Sequence, residues 1–194
     1  MPWRHSWIRL GVLASLAAGP DAAGTAARAT TLTVPAEAPT IQAALDASVD
    51  TVLVEPGTYL ETPVVTRPVH LMAASLDPQV LPVLTGLALR VPPVIPSPPQ
   101  FIFRGLAIAG PVVVTNNYRL CDIGFTACVL SGGVVDSSLS VETGSIYFKR
   151  CDIRGSTWLK ARGAVSVDSC EVYGEFISGG SGDQSLIVRD CVFQ

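Results

Sequence analysis

The chain has 194 residues, of which 48% are hydrophobic and 15% charged, and its formal net charge is −3 at pH 7. This length suits a single domain, and the composition suits a buried, strand-rich fold. A mildly acidic chain without a cluster of Lys and Arg is not built to hold phosphate backbones, which argues against nucleic acid as a partner.

Residues 1–29 are predicted to be a secretory signal peptide. Arg4 and Arg9 flank the start of a short apolar run, and Ala27-Arg28-Ala29 has the small residues of a signal-peptidase site. The run is too short to cross a bilayer, so we expect no membrane span. Its removal would leave a charge of (13 − 3) − (16 − 1) = −5 on a secreted, periplasmic or cell-surface protein that begins at Thr30.

The mature chain is predicted to open with a strand, a short helix and a second strand. Thr30 to Pro35 is extended, Thr40 is a suitable N-cap, and Asp50 to Glu55 is the first regular strand. The helix has one apolar-to-small face, formed by Ile41, Ala44, Leu45 and Ser48. A helix placed before a stack of coils is expected to cap it by covering the open edge of the first coil.

Short strands and a proline-rich stretch follow. Pro63 to Thr66 and Val69 to Met72 are predicted strands on either side of a turn at Arg67-Pro68. Leu81 to Pro99 contains five prolines between positions 92 and 99. Because proline cannot donate to a β-ladder, this whole stretch is predicted to be a loop or an edge excursion.

The back half of the chain repeats. Six segments share an apolar–polar–small–apolar pattern and begin 15, 16, 14, 19 and 21 residues apart: Phe103–Ile108, Tyr118–Ile123, Val134–Leu139, Phe148–Ile153, Val167–Val172 and Val188–Phe193. A Val- and Ile-rich repeat of this length predicts an all-β, stacked β-solenoid with a sharp corner inside each repeat unit. The domain is predicted to span residues 30–194. The chain stops inside a strand at Gln194, so we expect further coils or a partner at that edge.

A second ladder is predicted between the repeats. Its segments are Val112–Thr115, Cys128–Ser131, Ser140–Thr143, Trp158–Ala161 and Glu175–Ser178. Each is followed by a turn containing Gly or Asn, which tolerate the tight corners of such coils. Its inward residues are predicted to be Val113, Val129, Val141, Leu159 and Phe176.

With these features, the chain resembles the right-handed parallel β-helix proteins of the pectin lyase-like superfamily. The most specific part is the entry, where Gly57-Thr58-Tyr59-Leu60-Glu61 resembles the first signature of pectin methylesterases. The catalytic Gly-x-x-Asp-Phe-Ile-Phe-Gly of those esterases is missing, because Gln100 stands where the aspartate should be in Gln100-Phe-Ile-Phe-Arg-Gly105. An amide cannot serve as a carboxylate nucleophile or base, so the resemblance implies the fold more than the activity.

Four cysteines, Cys121, Cys151, Cys170 and Cys191, occupy one repeat position that Leu106 and Ser137 fill elsewhere. A position shared by Leu and Cys is an interior one, so these thiols are predicted to be buried and reduced. Their spacing lacks the C-x-x-C pattern of a metal site. Cys128 is predicted to lie outside this ladder, as a surface thiol.

Charged side chains in the repeats are predicted to form rows along the solenoid. Lys149, Asp168 and Arg189 alternate in sign, as do Asp136 and Arg150, which favours mutual neutralisation on a solvated face. A more acidic row is formed by Asp122, Ser138, Asp152 and Glu171. A Ca²⁺ ion is the one cofactor this row suggests, but parallel carboxylates do not converge on a point, so no cofactor is predicted.

The candidate substrate-binding residues are Trp158, Glu142, Lys160 and Glu175, which are predicted to face outward on the second ladder. An exposed indole beside both charge signs suits a sugar ring, because the ring offers an apolar face and the charges hold hydroxyl groups. The alternative is a Glu–Lys–Glu ladder with Trp158 packed under its own loop. His70 is predicted to be a plain surface side chain.

The predicted function is an exported module that binds carbohydrate without catalysis, or a cell-surface structural scaffold. A polysaccharide or cell-surface glycan is the expected partner. The alternative is a polysaccharide lyase or carbohydrate esterase acting on acidic glycans, with Glu142, Lys160 and Glu175 as acid–base candidates. The two readings differ in whether those side chains lie together in a cleft.

Overall fold

A computed structural model describes residues 30–92, 100–116, 121–137, 144–160, 163–179 and 185–194. Within these ranges the regular secondary structure is short strands and one six-residue helix. The elements in chain order are β1 (Thr31–Val34), α1 (Ile41–Asp46), β2 (Thr51–Val54), β3 (Thr58–Tyr59), β4 (Val64–Val65), β5 (Val69–Ala73), β6 (Val83–Leu84), β7 (Leu87–Val91), β8 (Gln100–Arg104), β9 (Ala107–Ile108), β10 (Val112–Asn116), β11 (Asp122–Thr126), β12 (Val129–Leu130), β13 (Val134–Asp136), β14 (Ser145–Lys149), β15 (Asp152–Ile153), β16 (Thr157–Leu159), β17 (Ala164–Asp168), β18 (Glu171–Val172), β19 (Phe176–Ser178), β20 (Ser185–Arg189) and β21 (Val192–Phe193).

These strands form three parallel sheets that run along one axis. The eight-stranded sheet has the order β1-β2-β5-β8-β11-β14-β17-β20, the seven-stranded sheet has β3-β6-β9-β12-β15-β18-β21, and the six-stranded sheet has β4-β7-β10-β13-β16-β19. From β3 onward each coil contributes one strand to each sheet in turn, so every strand pairs with its equivalents one coil before and after. The predicted β-solenoid is confirmed, while its right-handedness stays a prediction.

The core is a set of ladders that run through the interior. Side chains alternate across each strand, so every second residue points inward and stacks on its equivalent in the next coil. Phe103, Phe125 and Phe148 form one such ladder on the eight-stranded sheet, with ring centroids 5.1 and 5.4 Å apart and nearly parallel planes. All three rings are fully buried. The edge of Phe176 closes on Phe148 from the six-stranded sheet.

A left-handed corner lies between the eight- and seven-stranded sheets in five successive coils. The corner residues have φ between 49° and 68° and are Gly105, Ala127, Arg150, Ser169 and Asp190. Four of the five are not glycine, and each such residue costs energy in this conformation. The coils therefore repeat a strained backbone bend at one position, as the predicted corner inside each repeat unit required.

The predicted register of the repeat is wrong in its second member. Phe103 pairs with Phe125, not Tyr118, and the ladder continues through Phe148, Val167 and Val188. The spacings are therefore 125 − 103 = 22, 148 − 125 = 23, 167 − 148 = 19 and 188 − 167 = 21 residues. The Tyr118 segment mimicked the pattern because it also carries a Cys-Asp-Ile run, but its Asp122 and Ile123 begin β11.

The third predicted repeat also belongs elsewhere. Val134–Asp136 pairs with Val112–Val114 in the six-stranded sheet, whereas Val129–Leu130, which was assigned to the second ladder, pairs with Ala107–Ile108 in the seven-stranded sheet. As a consequence Val113 and Val129 are half-buried and flanked by buried neighbours, so they face outward rather than inward. Leu159 and Phe176 do face the core, and Val141 lies outside the described residues.

The stretch Leu81 to Pro99 is not simply a loop. Val83–Leu84 and Leu87–Val91 are strands, and Leu87, Leu89 and Val91 are buried. The prolines that suggested a loop fall mainly in residues 93–99, which lie outside the described residues. The alternating apolar residues before the prolines therefore form a regular strand, which the proline content of the stretch did not predict.

The two ends of the described solenoid differ. Ile41, Ala44 and Leu45 of α1 are buried in the core, and Thr40 caps the helix as predicted, with its Oγ1 accepting from the Ala43 N–H at 3.0 Å. That α1 covers the first coil edge stays a prediction. In the last coil the inward residues Leu186, Val188 and Phe193 are exposed. Across the described ranges, no helix has the length and apolarity needed to pass through a membrane.

Candidate functional site

The outer face of the six-stranded sheet carries an uninterrupted row of apolar side chains, one from each strand. Register pairs connect them from coil to coil. We call this set the apolar row; it consists of Val64, Ala88, Val113, Val135, Trp158 and Ile177. The first three are half-buried, and Val135, Trp158 and Ile177 are 38%, 53% and 46% exposed. A stripe of this kind on a sheet's outer face marks a surface that can bind a partner.

A shallow depression of about 400 Å³ lies over the exposed end of this row. It is lined by Val135, Asp136, Trp158, Leu159, Lys160, Ile177 and Gly179. The walls come from three consecutive strands, β13, β16 and β19, and their loops. The depression therefore combines an aromatic ring, three aliphatic side chains, one cation and one carboxylate.

The structure brings together only part of the predicted site. Trp158 and Lys160 are exposed and line the depression, as expected from their alternation with buried Thr157 and Leu159. Glu175 is exposed but is not among the lining residues, because it precedes β19 on the opposite side of the row from Lys160. Glu142 lies outside the described residues.

Asp136 is a lining residue whose predicted position is wrong. It was predicted to share an outer charge row with Arg150, but it is only 4% exposed and pairs with buried Val114. Its Oδ2 accepts a hydrogen bond from the Lys160 N–H at 3.3 Å. A carboxylate in an otherwise apolar interior row is the signal that could have identified it, once the strand register was known.

The ionisable side chains among the described lining residues of the depression are those of Asp136 and Lys160. A glycosidic acid–base pair needs two carboxyl groups that flank one point. Among the described lining residues the single carboxylate is Asp136, which is buried and engaged with backbone. Gln100, which stands at the esterase aspartate position, is on the eight-stranded sheet and pairs in register with Asp122, away from the depression.

The cysteine ladder exists with one member exchanged. Cys128, not Cys121, shares the position of Cys151, Cys170 and Cys191, because each of the four directly follows a left-handed corner residue. Cys128 is only 1% exposed, so its prediction as a surface thiol is wrong. Cys121 is also buried, immediately before β11. All five cysteines are free thiols.

The ladder thiols satisfy backbone groups at the corner. Each donates to the carbonyl two residues earlier, at 3.0–3.5 Å, in Cys128, Cys151, Cys170 and Cys191. In addition, Cys151 N–H donates to Cys170 Sγ at 3.3 Å, and Cys170 N–H donates to Cys191 Sγ at 3.4 Å. The Sγ atoms of Cys170 and Cys191 therefore satisfy N–H groups of the preceding coil at the bend, whereas the carbonyls that the thiols contact already accept a backbone N–H from that coil.

These contacts keep the central thiols protonated. The hydrogen bond with Cys128, together with burial, raises the pKa of Cys151 to about 12. Burial raises the pKa of Cys121 to about 12, and the bond with Cys151 raises that of Cys170 further still. Burial opposes ionisation of Cys128, but hydrogen bonds with Cys151 and backbone groups lower its pKa, and its thiol is closed to solvent. A reactive cysteine needs both a lowered pKa and access to solvent, so this ladder has a structural role.

The acidic row does not form as predicted. Asp152 and Glu171 do pair in register on the seven-stranded sheet, but Asp122 pairs with Ser145 and Gln100 on the eight-stranded sheet. Oδ2 of Asp152 forms an ion pair with Nη2 of Arg154 at 2.6 Å. Ser138 lies outside the described residues. Among the residues that the structure describes, no group of three or more His, Cys, Asp and Glu is arranged to hold a metal ion.

The predicted sign-alternating row is confirmed for Lys149, Asp168 and Arg189, which are register partners. Lys149 Nζ lies 3.9 Å from an Asp168 carboxylate oxygen, with both side chains partly in solvent. Such a pair contributes little to stability. His70 is exposed on the same sheet, as predicted for a surface side chain.

The entry motif that resembles pectin methylesterases has a structural role, because its side chains bind backbone groups at the start of α1 and in the first coils. The Glu61 carboxylate accepts the N–H groups of Ile41 and Gln42 at 2.9 and 3.1 Å, at the start of α1. Tyr59 donates its hydroxyl to the Glu55 carbonyl at 2.9 Å, and burial is the main reason why its pKa is raised. With Thr40 bound to the third N–H, the open donors of the helix are satisfied. The motif therefore clamps α1 onto the coils.

Comparison with known proteins finds no match to a family model, to a curated protein or to a solved structure. The likeness to pectin lyase-like proteins thus rests on the entry motif and the solenoid architecture, and membership of that superfamily stays a prediction.

Proposed function

We propose that this protein is an exported β-solenoid module that binds a polysaccharide or cell-surface glycan without cleaving it, and so acts as a binding or structural scaffold. The observation that carries the proposal is the exposed Trp158 in the apolar row, beside Lys160 at one depression. An indole left 53% exposed offers a flat apolar face to a sugar ring. Lys160 supplies a donor for hydroxyl or carboxylate groups at the rim.

The absence of a paired carboxylate in the described lining supports binding over catalysis. The alternative, a polysaccharide lyase or carbohydrate esterase acting on acidic glycans, would require Glu142, Lys160 and Glu175 to converge on one point. Lys160 and Glu175 lie at opposite ends of neighbouring strands, on either side of the row. We also propose membership of the pectin lyase-like superfamily as a fold relationship, supported by the structural use of Glu61 in the entry motif.

The test is a screen of the secreted protein against a panel of immobilised glycans that records both retention and product release. Retention without release is expected. Trp158→Ala should weaken retention by about 1–3 kcal/mol, the range for losing an aromatic anchor. The matched control is Tyr147→Ala, which removes an aromatic residue from the outer face of the eight-stranded sheet and should leave retention unchanged.

If the wild-type protein releases product and Glu175→Gln does not, the binding proposal is wrong and the protein is an enzyme. If the wild-type protein retains no glycan, the proposed function is wrong.

Export of the protein and cleavage of its signal peptide are tested separately. N-terminal sequencing of protein recovered from outside the cytoplasm should read from Thr30, because Ala27 and Ala29 suit signal peptidase. Recovery of the mature protein with an intact Met1 would contradict it.

A further inference from the structure

The apolar row extends well beyond Trp158. Five steps of ~4.8 Å separate its six members, which gives a strip about 24 Å long parallel to the solenoid axis. All six side chains are hydrocarbon or indole. The depression at Trp158 is therefore one end of a longer surface whose other end lies at Val64.

The fold does not require this row to be apolar. Outward positions on the other two sheets are mixed: the eight-stranded sheet carries Lys149, Asp168 and Arg189 in one register. The seven-stranded sheet carries half-buried apolar residues in its first coils and Asp152 and Glu171 in later ones; the apolar residues are Val83, Ala107 and Val129. Those sheets are built by the same coils and pack the same core. Because polar residues occupy the outward positions of the later coils there, the fold does not require the exposed Val135, Trp158 and Ile177 to be apolar.

The dimensions of the row fit a long, narrow ligand. Only one outward side chain per strand is apolar, so the strip is roughly 7 Å wide, the distance between alternate residues of a strand. Its area is then about 170 Å², far below the ~800 Å² that each partner contributes to a stable protein–protein interface. A second copy of the chain or another globular protein does not fit a strip of this shape, whereas a single extended polymer does.

The charges select an uncharged polymer. The row itself bears no charge. Among the described residues its rim carries Arg90 and Lys160 on one side and Glu175 on the other, and the buried Asp136 carboxylate lies beside Lys160, so the two signs balance. The net charge of −5 on the predicted mature chain repels a polyanion at long range.

Next to the row, the hydroxyls of Thr115 and Ser137 are hydrogen-bonded to each other at 3.0 Å, and Ser137 also donates to the Val114 carbonyl at 3.1 Å. Both hydroxyl oxygens can still accept from sugar hydroxyls.

We infer that the apolar row binds an uncharged, extended polysaccharide that runs parallel to the solenoid axis, with its ring faces on the row and roughly one sugar unit per rung of ~4.8 Å. This inference rests on the function proposed above and adds the charge class, the direction and the length of the bound chain.

The experiment measures affinities of the intact secreted protein for neutral β-1,4-linked gluco-oligosaccharides of three and six units, with polygalacturonate as the acidic comparator. The six-unit chain should bind at least about tenfold more tightly than the three-unit chain, since it reaches past Trp158 to Val113. Val113→Lys, two rungs from Trp158, should remove that gain. Val129→Lys is the matched control, because Val129 is also a half-buried outward valine but lies on the seven-stranded sheet.

Three results would overturn the inference while leaving glycan binding intact. One is Trp158→Ala abolishing binding while Val113→Lys leaves the six-unit affinity unchanged. Another is polygalacturonate binding more tightly than the neutral chain, with an affinity that falls as salt rises. The third is equal affinity for both chain lengths.

Two further results would overturn it together with the proposed function. In the first, the wild-type protein binds no glycan at all. In the second, sedimentation shows a dimer that Trp158→Ala dissociates.

Discussion

Two apolar ladders run along this solenoid, one inside and one outside, and the contrast between them separates folding from function. The interior ladder of Phe103, Phe125 and Phe148 is fully buried and makes stacked ring contacts at 5.1–5.4 Å. The apolar row on the six-stranded sheet has the same coil-to-coil register but remains half-buried to exposed. Burial makes the first ladder necessary for stability, whereas the second gains little from folding and is expected to matter only when a ligand covers it.

The interior ladder should give the largest effect on stability. Phe125→Ala removes the central ring of the stack and leaves a cavity between two others. We expect a loss of about 3–5 kcal/mol in the free energy of unfolding, measured by urea denaturation. Phe125→Leu should recover most of it. A loss below about 1 kcal/mol for Phe125→Ala would show that the interior coils can collapse around the gap.

The thiol part of the interior should make stability depend on alkaline pH. The pKa of Cys151 is raised from 9.0 to about 12, so the folded state holds a proton that the unfolded state releases first. Its contribution is fully present below pH 9 and is lost as the pH rises toward 12. The free energy of unfolding should therefore fall across that window, and Cys151→Ala should make the fall shallower. An unchanged slope in the variant would contradict the buried, protonated thiol.

Thiol labelling tests the burial of the cysteines directly. In native protein at pH 8, Cys191 should react first, because it is only partly buried, whereas the other four thiols are buried. The stoichiometry can be read by mass spectrometry, with urea-unfolded protein as the control that reacts at all five positions. Rapid modification of Cys151 or Cys170 would mean that the inward and outward faces are exchanged.

The clamp on α1 should give an intermediate effect. Glu61→Ala removes the acceptor of two backbone N–H groups, and we expect a loss of about 1–3 kcal/mol in unfolding free energy. Glu175→Ala, which removes an exposed glutamate, serves as the control and should change little. If both variants lose the same free energy of unfolding, the entry motif does not hold the helix in place.

The apolar row should give the smallest effect on stability. Trp158→Ala and Val113→Lys are each expected to change the unfolding free energy by less than about 0.5 kcal/mol, as is typical of outward surface positions. Circular dichroism during urea denaturation would measure this. A loss comparable to that of Phe125→Ala would show that the row is part of the fold and not a ligand surface.

The sequence by itself determined the architecture and the entry. Periodic apolar residues and short repeats require stacked strands, and Thr40 followed by an apolar face requires a capped helix; both are local properties of the chain. The outward placement of Trp158 and Lys160 followed from alternation along a single strand, which is local as well.

Only the tertiary structure decided which strand pairs with which. Cys121-Asp122-Ile123 and Cys128-Val129-Leu130 fit the same pattern, and a shift of a few residues is invisible in sequence although it moves side chains to another sheet or face. That shift placed Cys128 in the core, turned Val113 and Val129 outward, and buried Asp136 beside Lys160. The apolar row became apparent for the same reason, since its six members are 19 to 25 residues apart along the chain and meet only through the register of the coils.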